Sequence, residues 1–409
     1  MSKDQTFKII KERVNQVGRV LNLSQKEIDL LLSPKRIAKD KLLIDGEEIP
    51  AWRILYNNAL GPGKGGIRFH PEASEDEVES LAFWMTLKNS LVGLPYGGAK
   101  GGVRFNPKGK SKDYLEKVSR AYIDKFYPFL GENVDIPAPD VYTNSEIMAW
   151  MLDQFEKKVG HHEPGMITGK PIELGGLKMR GDATAKGGHI IINEVIHHHG
   201  LGKNPTIAIQ GFGNAGYHIA RMLYGEGLKV VAVSDSRGGV FDPKGLDINR
   251  LAEVKRELGS VTAYEAKVIT NEELLESEVD ILILAALENQ ITADNADKVR
   301  AKYIVELANG PVDYDADKIL NKKGITVVPD ILANSGGVIV SYFEWAQNKV
   351  GNVLDEEYLS QKLFNMLESA WHQIYELSKD SEDIDLRTAA YIIAIKRVLS
   401  AEKLRGNLK

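Results

Sequence analysis

The chain has 409 residues, 43% of them hydrophobic and 27% charged, which exceeds one comfortable core and sets an expectation of two globular domains. Its net charge of −5 is spread without long single-sign blocks, which excludes a nucleic-acid footprint, and the absence of cysteine excludes disulfides, thiolate catalysis and Cys-ligated metals. The longest uncharged apolar run, Ile281 to Leu287, is too short to span a bilayer, and the N-terminus lacks a secretory pattern, so a cytoplasmic protein without membrane partners is expected.

Residues 6–32 read as two short amphipathic helices, with Ile9, Ile10, Val14 and Val17 on one side of the first. Residues 38–105 mix short strand-like runs with two Gly-rich loops and a helix. Lys64 sits in Gly61-Pro62-Gly63-Lys64-Gly65-Gly66, and Lys100 in Gly97-Gly98-Ala99-Lys100-Gly101-Gly102. Glycine on both sides of each lysine is expected to let backbone come close to a small ligand. Between the loops, 74–92 reads as a helix opened by a capping box, Ser74 followed three residues later by Glu77. Its apolar stripe is Val78, Leu81, Met85 and Val92, and Lys88 falls on the same face. A buried ammonium costs on the order of several kcal/mol unless it is paired or loses its proton. Three lysines so placed point to a pocket for an anionic substrate, with one amine tuned for chemistry. Helices are then expected at 111–130 and 144–159. Between them, in Asp135-Ile136-Pro137-Ala138-Pro139-Asp140, two prolines enforce extended backbone.

A Gly-rich stretch, Gly169 to Gly188, marks the expected domain crossing. Beyond it strands and helices alternate: strands at 206–210, 229–234, 281–286, 303–306 and 326–328, with a helix at 215–224. Such alternation specifies a parallel sheet of βαβ units, so the fold class is α/β. From Gly336 onward the chain reads as helical. The expected division is 1–180 for substrate and oligomerisation, 181–335 for a Rossmann-type domain, and 336–409 for a helical segment and hinge that packs back on the first domain.

Gly211-Phe212-Gly213-Asn214-Ala215-Gly216 joins the strand at 206–210 to the helix that follows. The first glycine permits the tight turn, the second lets a pyrophosphate approach, and the third allows close packing, with phosphates on the helix N-terminus. Asp235, 19 residues after Gly216, stands where a ribose-binding carboxylate belongs. It favours NAD, while the flanking Ser234, Ser236 and Arg237 leave NADP open.

Together these residues carry a family resemblance. Leu94-Pro95-Tyr96-Gly97-Gly98-Ala99-Lys100-Gly101-Gly102-Val103-Arg104-Phe105-Asn106-Pro107 resembles the active-site segment of the Glu/Leu/Phe/Val dehydrogenases. The segments at 61–71, 137–140, 308–311 and 334–341 agree, so the similarity runs from about residue 40 to 409. The resemblance implies that Lys88 binds the substrate α-carboxylate, Lys100 is the catalytic lysine and Asp140 the proton shuttle. Lys64 and Ser341 would hold a γ-carboxylate, with Val338 and Ala138 lining the same pocket, and so specify glutamate over leucine, valine or phenylalanine. Arg180, Thr184, Asn309 and Asn334 would surround the nicotinamide, and the assembly would be a homohexamer. The implied reaction interconverts glutamate with 2-oxoglutarate and ammonia. The crossing segment at 175–181 and Ser335 depart from the commoner family forms, and Met85 stands where some members have glutamine and others methionine. Two other readings are an aliphatic or aromatic amino-acid dehydrogenase, opposed by Lys64 and Ser341, and a non-catalytic subunit, opposed by the intact lysines and Asp140. His161-His162 and His197-His198-His199 invite a metal reading, but adjacent histidines share no helix face, so no metal is expected.

Overall fold

Extended runs and helical periods in the first half of the chain build one unit, and the alternating pattern in the second half builds another. The structure is a computed structural model that describes residues 3–380 and 383–408. The first unit comprises the chain up to Gly181, Val338–Ser360 and the segment from Tyr391; the second comprises Asp182–Gly337 and Gln361–Ala390.

In the first unit, strands Arg36–Ile44, Glu47–Asn57, Gly98–Val103 and Ile67–Phe69 lie side by side in that order. The first two form an antiparallel hairpin turned at Asp45-Gly46, whose φ values of 48° and 88° suit a tight two-residue turn. Ile67–Phe69 runs parallel to Gly98–Val103. Beside this sheet, Gly63–Lys64 and Asp135–Ile136 form a short parallel ribbon. Helices Lys112–Phe126 and Ser145–Val159 cover a core that includes Ile67, Phe69, Val103, Tyr122, Phe126, Met148 and Phe155.

The helix carrying Lys88 spans Glu75–Leu91, capped by Ser74, whose side chain accepts from the Glu77 N–H. Only half of the expected capping box forms, because the Glu77 carboxylate pairs with Arg68 instead of turning back to Ser74. The helix is buried nearly all round, through Ser80, Ala82, Phe83, Thr86, Leu87, Asn89, Ser90 and Leu91. Leu81, Met85 and Lys88, expected to face the core, line its half-buried side instead. A helix sheathed on most faces offers no apolar contrast for periodicity to detect.

The Gly-rich loops also differ from expectation. A Cβ at Gly65 would stand 1.6 Å from the Ala99 carbonyl oxygen, and one at Gly98 would stand 2.1 Å from Thr86 Oγ1. At these two positions the missing side chain admits protein backbone or a helix side chain, so glycine here lets strands and helix nest.

The second unit holds a seven-stranded sheet in the order Lys267–Ile269, Gly238–Phe241, Lys229–Asp235, Thr206–Gln210, Ile281–Leu284, Tyr303–Glu306, Thr326–Val328. The last five are parallel, and the first two form an antiparallel edge. The antiparallel strands Lys267–Ile269 and Gly238–Phe241 were not expected from the sequence: exposed Lys267 and Val268 and the pair Gly238-Gly239 leave neither an alternation nor a continuous apolar run to read. Buried Arg387 fastens the helical segment to this sheet. Its guanidinium donates to both Glu306 oxygens at 2.8 and 2.7 Å and to Asp317 Oδ2 at 3.0 Å. Among the described residues no helix is long and apolar enough to cross a membrane.

Candidate active site

Three extended segments of the first unit run together: 63–69, 98–103 and 134–141. Gly63 N donates to Val134 O at 2.9 Å, Ile67 N to Ala138 O at 2.9 Å, and Gly101 N to Gly66 O at 2.9 Å. Their pairing brings together residues that the sequence separates. Lys100 Nζ donates to Asp140 Oδ1 at 2.7 Å, and Arg68 Nε donates to Asp140 Oδ2 at 3.0 Å. Burial alone would raise the Asp140 pKa, but the two cations outweigh it and hold the carboxyl far below the usual range. Asp140 is therefore ionised in this state. The Lys100 ammonium is lowered, first by burial and then by Arg68, with Asp140 opposing.

Lys64 lies in the parallel ribbon and is 1% exposed. Among the described residues nothing hydrogen-bonds its ammonium. Burial pushes its pKa well below the ordinary lysine value, and repulsion from Arg180 and Arg53 adds to this; Glu344 and Asp135 oppose. Both opposing carboxylates are committed elsewhere. Asp135 is gripped by Arg53, with Nε at 2.9 Å from Oδ2. Glu344 accepts from Lys170 Nζ at 2.7 Å and from the Gly169 N–H at 2.9 and 3.0 Å. Steps of three on the helix Gly336–Val350 align Val338, Ser341 and Glu344 along one face, all of them buried. Ala138 is buried in the strand that leads to Asp140. The Nε of Arg180 is buried with no hydrogen-bond partner, which suits a group awaiting a polar ligand.

In the second unit, Gly211 adopts φ +93°, and a Cβ at Gly216 would lie 1.9 Å from the Gly211 carbonyl oxygen. Gly213 opens onto free space and precedes helix Asn214–Gly225, whose first turn has no side-chain cap. A helix start without a side-chain cap, behind a glycine that leaves room for a ligand, is what a pyrophosphate needs, so these residues fit a dinucleotide. Gly213 and Asn214 line a hollow of about 470 Å³ together with Phe212, Tyr217, Lys255 and Arg256.

Asp235 ends its strand as expected, and its carboxylate is well supplied with donors. Ser260 Oγ lies 3.1 Å from Oδ1, and the N–H groups of Arg237 and Val261 each lie 2.9 Å from an oxygen. Burial acts against its charge, but these donors and Lys255 keep it below the usual carboxylate range. Ser236 is exposed beside it, and Thr184 sits half-buried in the first turn of helix Ala183–His198. Asn334 Nδ2 donates to Asn309 Oδ1 at 2.9 Å, so these two expected contacts brace each other. Sequence reasoning missed Arg68 and Lys255. Arg68 lay in view inside the segment 61–71, but its partner is 72 residues away.

Two family models match the chain: Glu/Leu/Phe/Val dehydrogenase, dimerisation domain, over residues 40–157, and Glutamate/Leucine/Phenylalanine/Valine dehydrogenase over 175–406. A glutamate dehydrogenase of Thermotoga maritima is 45% identical over 414 residues, covering 99% of each chain. The catabolic NAD-specific glutamate dehydrogenase of Bacillus subtilis is 44% identical over 407 residues, covering 98% of this chain and 95% of that one. Among solved structures, hetero-hexameric glutamate dehydrogenase from Thermus thermophilus in a leucine-bound form gives a TM-score of 0.92 at 31% identity. It covers 99% of this chain and 98% of that one. The strand-borne lysines, the uncapped Gly-rich turn and the similarity along the whole length agree: the chain belongs to the Glu/Leu/Phe/Val dehydrogenase family.

Proposed function

We propose that this protein is a glutamate dehydrogenase, interconverting L-glutamate with 2-oxoglutarate and ammonia. The observation that carries the choice of glutamate is Lys64: a buried ammonium without a protein partner, beside carboxylates already engaged. An aliphatic side chain would leave that charge uncompensated, whereas a γ-carboxylate completes it.

In this reading Lys64 and Ser341 bind the γ-carboxylate, Lys88 binds the α-carboxylate, and Val338 and Ala138 shape the pocket wall. Asp140, kept ionised by Lys100 and Arg68, takes a proton from the substrate ammonium. Loss of hydride from the α-carbon leaves 2-iminoglutarate. Lys100, its pKa lowered by burial and Arg68, then acts in its amine form, taking a proton from the added water as the carbinolamine forms and returning it as ammonia leaves. The nicotinamide supplies the hydride acceptor. Its dinucleotide would be held by Gly211, Gly213, Asn214, Ala215 and Gly216 at the phosphates and by Asp235 and Ser236 at the ribose. Arg180, Thr184, Asn309 and Asn334 would serve the nicotinamide end. A charged Asp235 favours NAD, and the names of the relatives support this; Lys255 and Arg237 beside it keep NADP use possible. A homohexamer is the assembly we propose; the matched dimerisation domain supports self-association, and the hexameric Thermus thermophilus relative supports the number six.

The test is the absorbance of reduced cofactor with purified protein, 2-oxoglutarate and ammonia, run with NADH and NADPH and against branched 2-oxo acids. Preference for 2-oxoglutarate is expected; preference for a branched acid overturns the reading. Light scattering checks the hexamer.

A further inference from the structure

The folded chain gathers metal-ligating side chains that no single histidine run contains. Glu194 and His198 are four residues apart on helix Ala183–His198 and so share a face. His372 reaches them from helix Glu356–Lys379, and one ligand atom from each of the three lies within 4.8 Å of the others. We infer that Glu194, His198 and His372 form a binding site for a divalent transition metal of the zinc type.

The donor set is two imidazoles and a carboxylate, which suits zinc, cobalt or nickel and disfavours calcium and magnesium. Zinc–ligand bonds of about 2.0–2.1 Å place tetrahedral ligands about 3.4 Å apart, so closing the trio needs shifts of about 1 Å in side chains near the surface. His198 Nδ1 lies 3.0 Å from the Glu194 carbonyl oxygen. The indole N–H of fully buried Trp371 donates to that nitrogen at 3.2 Å, which fixes the ring plane beside Glu194 and His372. The His198 and His372 rings stand 5.1 Å apart at 75°. Glu194 and His198 are half-buried and His372 is exposed, so an ion can enter from solvent and keep water in its remaining positions. Such an ion would clamp the two helices. The expectation of no metal considered neighbours within each histidine run, whereas this trio takes His198 alone from its run and adds Glu194 and His372.

The full-length protein, stripped with EDTA and dialysed, is titrated with zinc chloride by calorimetry and then by cobalt absorption. One zinc per chain is expected, with a cobalt spectrum of low coordination number and a rise in thermal midpoint. His372→Ala, at an exposed position that leaves the fold intact, should weaken zinc binding by at least ~30-fold, since losing only a group that orients a ligand already costs about 10–100-fold. It should also abolish the thermal rise. Glu194→Gln should weaken binding in the same direction. Failure to bind zinc, or binding that survives both substitutions and falls only with His161→Ala, overturns the assignment.

Discussion

Lys64→Met separates the charge of the pocket from its shape. Methionine has nearly the length of lysine and keeps the 1%-exposed position filled, while removing the ammonium. A glutamate γ-carboxylate entering the variant would lose its solvation and gain only the Ser341 hydroxyl, with no cation, in return. Truncating one member of a buried charge pair costs about 2–5 kcal/mol. At about 1.4 kcal/mol per tenfold, kcat/KM for glutamate should fall by roughly 30- to 3000-fold. Norvaline, an unbranched aliphatic amino acid, should move the other way. It no longer leaves an ammonium unpaired, and each buried methylene contributes about 0.8 kcal/mol, so a gain of roughly tenfold is expected. Folding stability should hold or rise, because the substitution removes a cation from beside Arg53 and Arg180. Initial rates with both substrates, together with the KM for NAD as a control expected to stay within about twofold, complete the test. A fall in glutamate kcat/KM of less than about fivefold, with norvaline unchanged, refutes the role given to Lys64.

Lys100→Ala should lose more than ~100-fold in turnover while NADH still binds, as followed by its fluorescence; near-normal turnover would remove Lys100 from the chemistry. Arg68→Met should raise the pKa of Asp140 and of Lys100, because Arg68 attracts the carboxylate and repels the ammonium. The pH at which turnover reaches half its plateau should therefore move to the alkaline side, and an unmoved profile contradicts the coupling. Arg387→Met should destabilise the second unit by about 3–5 kcal/mol, measured by denaturant unfolding. Glu306 is already pushed up to about 7, mainly by burial, with Arg387 pulling it down. Its folded pKa exceeds the unfolded value, so its contribution is fully present below about 4.5 and lost as pH rises through 7. Without Arg387 the folded pKa climbs further, so the variant's deficit should be larger at pH 8 than at pH 5.

What the sequence revealed follows from what local pattern encodes. Strands Thr206–Gln210, Tyr303–Glu306 and Thr326–Val328 were readable to the residue, because buried parallel strands are short apolar runs with turns at each end. The bounds of helix Glu75–Leu91 were readable from Ser74, but its buried face was not, because nearly every face is covered. Motif residues such as Lys64, Lys100 and Asp140 could be named in advance; the charges that tune them could not. Arg68 meets Asp140 across 72 positions and Lys170 meets Glu344 across 174, and neither partner leaves a mark beside its mate. The metal-ligand trio was hidden for the same reason, since His372 arrives from a distant helix.

The depressed basicity of Lys64, enclosed near Arg53 and Arg180, has a thermodynamic corollary. An amine whose proton is held more loosely here holds it more firmly once an anion lies against it. Capture of glutamate then consumes hydrogen ions from the medium, and the buffer's own ionisation enthalpy enters the heat of association. Affinity for the dicarboxylate weakens as the medium becomes more alkaline, even where the catalytic groups are indifferent to the change.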